Sequence, residues 1–294
     1  MTLNANNEDL INRSIGESNA TSPVPRMVFI LSDSMASDLA LLPFIQRHRD
    51  SVQAIFVVPY VWFSSFRLLR KTTSMVRRAP LFYMFYKMVE VYLYRGIRFC
   101  FSWDSVYRLG SRTGISIRRL PDVNDEAFID ELDRLDPDLL ITMSPQIYRS
   151  EIVSRFEGRL FNVHHALLPE YRGAFAGNFW TLVNGAATSG VTVHLIETGI
   201  DSGAIAAREI LQIENNDSVY SLHARCAQLS DPCLEKLFKE WSPKVKLVLI
   251  PQNERNARTY SFPTLSAYQK LRARNRRLLR LRDLLAFGVL RPSI

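Results

Sequence analysis

The chain has 294 residues, 47% of them hydrophobic, and a formal net charge of +8. That is enough apolar material for one large folded body with a modest appendage, and it excludes a disordered chain, a collagen and a disulfide-stapled miniprotein. The three cysteines, Cys100, Cys226 and Cys233, form neither a paired framework nor a short-spaced metal motif, so reduced thiols and no bound metal are expected.

Residues 1–25 are polar, with no basic-then-apolar leader, and are expected to form a disordered tail. Secretion is not expected, and the Asn-x-Ser/Thr triplets at Asn12, Asn19 and Asn216 are read as chance. Apolar runs at 27–31 (MVFIL) and from 54 (AIFVV), separated by a helix-length stretch over 36–49, predict a βαβ opening. Residues 60–113 lack a clean strand but are rich in aromatics, among them Trp62, Phe66, Phe82, Tyr83, Tyr86 and Tyr94. They read as a helical insertion that ends in a helix over 103–111. A short strand follows at 115–118, then a helix over 125–135, a buried strand at 138–143 (DLLITM), a helix over 147–156 and a strand at 160–164 (LFNVH). Strands at 190–197 and 204–213, joined by the turn 199–203, alternate like a half-buried antiparallel ribbon. A long helix capped by Asp217 is expected to reach about Trp241, with Cys226 and Cys233 on its core face. Residues 265–290 read as a basic helical pair whose buried stripe is Leu271, Leu278, Leu279, Leu281, Leu284 and Leu285.

The expected fold is therefore α/β: a mostly parallel Rossmann-like sheet flanked by helices, with an antiparallel ribbon and a helical C-terminal extension. In domain terms, a body over 26–241 carries the insertion 60–113, and a basic extension spans 242–294. No apolar stretch reaches the roughly 20 residues of a bilayer span, because Lys87 and Glu90 interrupt the greasiest run, 81–94. A cytoplasmic location is expected, with contact at a membrane surface left open.

Charge is unevenly spread. Residues 60–102 and 266–294 each hold eight cationic side chains against one acid, and the remainder of the chain is mildly acidic. Such segments can attract phosphates, nucleic acid or anionic lipid over a Debye length of about 8 Å. They can equally be solvated helix faces whose arginine stems cover apolar surface.

The most unusual local grammar runs from Phe161-Asn162-Val163-His164-His165 through Leu167-Leu168-Pro169, Arg172-Gly173, Trp180 and Asn184-Gly185 to Gly190-Val191-Thr192 and Asp201-Ser202-Gly203. Asn162 and His164 are two apart at the C-terminal end of a strand, so their side chains leave one face at the sheet edge where ligands bind. Asp201 lies in a glycine-flanked turn that lets a carboxylate approach an imidazole. Acyl transfer to an amine needs a donor for the developing oxyanion and a route for a proton. Asn162 supplies the donor, His164 relays the proton near neutral pH, and Asp201 fixes the imidazole tautomer. No serine or cysteine nucleophile is required, so direct attack fits better than a covalent intermediate. The bland reading of Asn-x-His alone is a satisfied edge pair. His165 and His194 read as structural or acceptor-facing, His223 as a helix-surface residue, and the aromatics of 60–102 as packing or as a stacking platform.

These motifs, in this order over about forty residues, resemble the N10-formyltetrahydrofolate-dependent formyltransferase family. Carried over residue by residue, the resemblance implies Asn162, His164 and Asp201 as the catalytic trio and N10-formyltetrahydrofolate as formyl donor. It also implies that Met143, Ser144, Gln146 and Ile147, with the turn Thr198-Gly199, hold the folate's pterin, mainly through backbone contacts. The chain departs from the family pattern at Ala166, at Ala186 and in the loop 173–178, which lacks a proline, so the acceptor is the open question. A tRNA acceptor is disfavoured by the helical, arginine-rich residues that follow Trp241. The expected acceptor is a small primary amine on a nucleotide-linked amino sugar, with a homodimer left open. The alternatives are transfer to an amino acid, a hydroxamate precursor or a carrier-bound amine, hydrolysis of formyltetrahydrofolate, and a non-catalytic binding module.

Overall fold

The apolar runs assemble into a seven-stranded sheet in a computed structural model that describes residues 24–59, 80–100, 105–173 and 177–285. Strands β1 (Met27–Ser32), β2 (Val52–Val58), β3 (Ser116–Arg119), β4 (Leu139–Met143) and β5 (Leu160–His164) run parallel. β6 (Thr188–Leu195) lies antiparallel to β5, and β7 (Ile205–Gln212) antiparallel to β6, in the order β3-β2-β1-β4-β5-β6-β7. The expected parallel sheet with its antiparallel ribbon is present. Every residue of β1 is buried, as a strand covered on both faces must be.

One face is covered by α4 (Glu126–Leu135) and α5 (Ser150–Arg155), whose Phe128, Ile129, Leu132 and Ile152 meet Val28, Ile30 and Phe56 of the sheet. The other face carries α1 (Met35–Arg47), α6 (Gly177–Asn184), α7 (Val219–Gln228) and α8 (Ser230–Glu240). Here Phe44, Phe179, Leu222 and Leu234 pack with Phe29, Ile141 and Val193. Helix starts follow the capping chemistry of the sequence. Ser34 accepts from the Ser37 N–H at the head of α1, and Asp125 accepts from the Ala127 and Phe128 N–H groups at the head of α4.

The insertion supplies α2 (Leu81–Cys100) and α3 (Val106–Thr113). Buried Asp38 on α1 ties both down, accepting from Tyr94 Oη at 2.7 Å and from the Val106 N–H at 3.3 Å. Tyr83 meets the rings of Phe179 and Phe262, and Phe82 stacks on Tyr268 at 4.3 Å, so these aromatics pack. Phe85 and Tyr92 stay exposed. Trp62, Phe66 and Trp103 lie outside the described residues, as do the basic residues of 60–79.

Several expectations need correction. The helix predicted over 147–156 begins only at Ser150, because side-chain bonds from 121–124 hold 146–149 out of helical geometry. The long helix to Trp241 is two helices broken at Leu229, with Cys226 on one and Cys233 on the other, both buried. Its cap is Ser218, whose hydroxyl accepts from the Ser221 N–H, while Asp217 instead accepts from the Glu214 N–H and from Arg225.

Beyond α8 the chain runs without a helix to α9 (Leu265–Ala273), followed by the short α10 (Leu281–Leu285). Asn275, at φ 56, lies between the two helices of the expected pair. Leu271 is buried and Leu278 and Leu279 are half-buried, but Leu281 is exposed and leaves the expected stripe. The tail's arginines cap backbone carbonyls of the body: Arg274 donates to Val183 O at 2.9 Å, Arg276 to Glu214 O, and Arg282 to Asn216 O.

Candidate active site

Asn162 and His164 stand at the end of β5, on the same side of the sheet and opposite His194 and Thr192 of β6. Asp201 sits in the β6–β7 turn at φ 49, left-handed backbone that a non-glycine residue adopts at a cost. The turn is fixed from outside. Gln252 Nε2 donates to Asp201 O at 2.8 Å and to Gly203 O at 2.7 Å, and Gln252 Oε1 accepts from Arg172 Nε and Nη2. Gly203 must be glycine here, since a Cβ would lie 2.0 Å from Leu195 O.

The three residues converge. Asp201 Oδ2 is 3.6 Å from His164 Nδ1, and Asp201 Oδ1 is 3.6 Å from His194 Nε2. Asp201 Oδ2 also accepts from the Gly173 N–H at 2.8 Å. His164 Nε2 lies 2.8 Å from Tyr171 O. A carbonyl only accepts, so Nε2 donates to it. The Tyr171 carbonyl thus holds one nitrogen of the ring while Asp201 faces the other.

The sequence reading did not see what orients Asn162. His194 Nδ1 donates to Leu195 O at 2.7 Å, which leaves Nε2 to accept from Asn162 Nδ2 at 3.2 Å. Burial pushes the His194 pKa down to about 4 against the pull of Asp201, so this imidazole is a neutral acceptor at neutral pH. Burial also pushes the Asp201 carboxyl upward, but His164, His194 and the Gly173 N–H outweigh it and hold the group below its ordinary value. His165 and His223, pushed down chiefly by burial, hydrogen-bond each other at 3.2 Å, and His165 also meets Ser230 at 3.1 Å. His223 is thus half-buried and lines a cavity rather than the helix surface expected of it.

Two cavities meet at this cluster. One of about 360 Å³ lies between the loop after β4 and the β6–β7 turn, and is lined by Ser144, Gln146, Ile147, Thr198, Gly199 and Ile200 among others. The second, of about 190 Å³, opens toward α2 and is lined by Tyr83, Tyr86, Lys87, Glu90, His164 and His223 among others. Asn162 and Asp201 border both. Of the residues expected to hold a pterin, five border the larger cavity, while Met143 borders only the smaller one. The Gln146 side chain is spent on the protein itself, accepting from the Val123 N–H and donating to Pro121 O, so it anchors the loop. Ile147 is 80% exposed and Ile200 54%, an apolar rim that a flat heterocycle would cover. Among the described residues no group of three or more His, Cys, Asp or Glu side chains is arranged to hold a metal ion. No described helix is long and apolar enough to cross a membrane.

Comparison with known proteins matches residues 113–236, which contain the whole cluster, to the formyl transferase family. That segment is similar to the family's model over less than half of the chain. The methionyl-tRNA formyltransferase of Finegoldia magna is 31% identical over 142 residues, 48% of this chain and 46% of the relative. The chain matches about half the length of such curated relatives. In structure, the phosphoribosylglycinamide formyltransferase of Anaplasma phagocytophilum superposes with a TM-score of 0.53 at 16% identity, over 74% of this chain and 87% of that one. A sugar 3N-formyl transferase, solved with dTDP and 5-N-formyl-THF, superposes with a TM-score of 0.50 at 17% identity, over 80% and 69%. At these identities the structural likeness is one of fold.

Proposed function

We propose that this protein is an N-formyltransferase that moves a formyl group from N10-formyltetrahydrofolate to the primary amine of a nucleotide-linked amino sugar. The observation that carries the reading is the position of Asn162 and Asp201 on the partition shared by two cavities, with His164 beside them. A formyl group presented from the larger cavity meets an amine presented from the smaller one at that partition.

The amine nitrogen attacks the formyl carbon, and the second Nδ2 hydrogen of Asn162 donates to the oxygen that gains charge. One such donor in a dry site is worth about 100- to 1000-fold in rate. The amine's proton passes to His164 Nδ1, where Asp201 stabilises the imidazolium. The carbon–N10 bond then breaks and the proton ends on N10, so no group stays on the protein. The pterin-side contacts fall to Ser144, Ile147, Thr198 and Gly199, with Ile147 and Ile200 covering the ring. The narrow acceptor cavity, walled by Tyr83 and Tyr86 of α2, favours a small amine over a tRNA end.

An acceptor panel tests this. Tetrahydrofolate release is followed with nucleotide-linked amino sugars, free amino sugars, amino acids and no acceptor. Release that requires a nucleotide-linked amino sugar, with a formamide formed in equal amount, is the expected result. Acceptor-independent release would mean hydrolysis, and tight donor binding without release under every condition would mean a binding module.

A further inference from the structure

The smaller cavity holds a buried ion pair that the transfer chemistry does not use. Lys87 Nζ lies 2.8 Å from Glu90 Oε2, one turn apart on α2, with the two side chains only 6% and 14% exposed. The ammonium also lies 5.5 Å from the centre of the Tyr86 ring. Taking two charges out of water costs several kcal/mol per ion before their attraction offsets it, and an apolar pair of similar volume would pack as well or better. Packing therefore gives no reason for charges here. Their position does, because both face the cavity that ends at Asn162 and His164.

Apart from Asp201 at the far end, the wall around the pair is largely uncharged. His165 and His223 are neutral at pH 7, and burial keeps the Tyr86 phenol protonated. A net-neutral pair is a poor host for a bare phosphate or carboxylate, which Glu90 would repel. It suits a neutral group that donates and accepts at adjacent atoms, as neighbouring ring hydroxyls do. Tyr83 and Tyr86 add flat apolar surface beside it, of the kind that meets the C–H face of a sugar ring.

We propose that Lys87 and Glu90 clamp two neighbouring hydroxyls of the acceptor's sugar ring, one hydroxyl donating to the Glu90 carboxylate and the other accepting from the Lys87 ammonium. The clamp rests on the amino-sugar reading and names the atoms that select the sugar. It acts on acceptor choice, away from the donor cavity.

The test compares an amino-sugar acceptor with its analogue lacking the paired hydroxyls, scored as kcat/KM for formamide formation in the full chain. Wild type should prefer the hydroxylated acceptor by about tenfold or more, the worth of a hydrogen bond to a charged group. Glu90→Gln and Lys87→Met should each shrink that preference, while Lys87→Arg retains most of it. If a single variant folds poorly, the paired change Lys87→Met with Glu90→Leu removes both charges together, and the preference should then fall toward onefold. An unchanged preference in the paired variant, or none in wild type, overturns the clamp. Absence of formamide with every acceptor, while the donor still binds, overturns the transfer reading itself and the clamp with it.

Discussion

Asp201 lies between two imidazoles that have opposite jobs. His164 turns Nδ1 toward it and donates from Nε2 to Tyr171 O, whereas His194 keeps its hydrogen on the far nitrogen and accepts from Asn162. His194 is therefore a positioning residue that acts through the carboxamide. His194→Ala should lower kcat about tenfold or more, in the range seen when a supporting partner of a working group is lost, with little change in donor Kd. His194→Gln, whose amide oxygen can accept in the same place, should restore part of the loss. Equal losses in both variants, or a fall in donor affinity alone, would reduce His194 to packing. At this scale the sequence is legible in which side chains come together. Asn162, His164 and Asp201 share a spacing and a motif, but the Tyr171 carbonyl and the bond between His194 and Asn162 leave no mark in a linear pattern.

Element boundaries show the same division. The strands could be read because each is an apolar run of the right length between breakers, and 160–164 was placed to the residue. The break at Leu229 could not, because both α7 and α8 turn an apolar face to the sheet and the periodicity runs through the junction. Composition assigns the segment after α8 to a basic helical extension. Instead its Gln252 bonds two carbonyls of the Asp201 turn, about fifty residues away, and the guanidinium of Arg172, 80 residues away, contacts that no local pattern encodes. Gln252→Ala should leave those carbonyls without a partner and cost about 1–3 kcal/mol of stability. It should also lower kcat, because the turn that holds Asp201 loosens. Denaturant unfolding and turnover measured on the same preparation check this. A destabilised but fully active variant would separate the turn's anchoring from its chemistry.

At the scale of the whole molecule, part of the uneven charge among the described residues resolves into bonding. In the tail, Arg274, Arg276 and Arg282 are committed to carbonyls of the body, so this part of the basic surplus clamps the C-terminal segment in place. Three histidines, His165, His194 and His223, all sit below their ordinary pKa, chiefly through burial. Between about pH 6.5 and 4 the unfolded chain binds protons that the folded chain refuses, so stability is lost as pH falls through that window. The slope approaches about 1.4 kcal/mol per pH unit for each such histidine. Denaturant midpoints at pH 7.5 and pH 5 should therefore differ clearly, with the lower value at pH 5. A flat profile would mean that these rings take up protons within the fold.

The most direct test of the central claim is single-turnover formyl transfer at saturating donor and acceptor in Asn162→Ala and His164→Ala, with donor Kd measured alongside. Each variant should transfer at least about 100-fold more slowly than wild type while binding the donor with nearly unchanged affinity. Transfer at near wild-type rates in both would contradict the account, because the chemistry would then lie away from the partition between the two cavities.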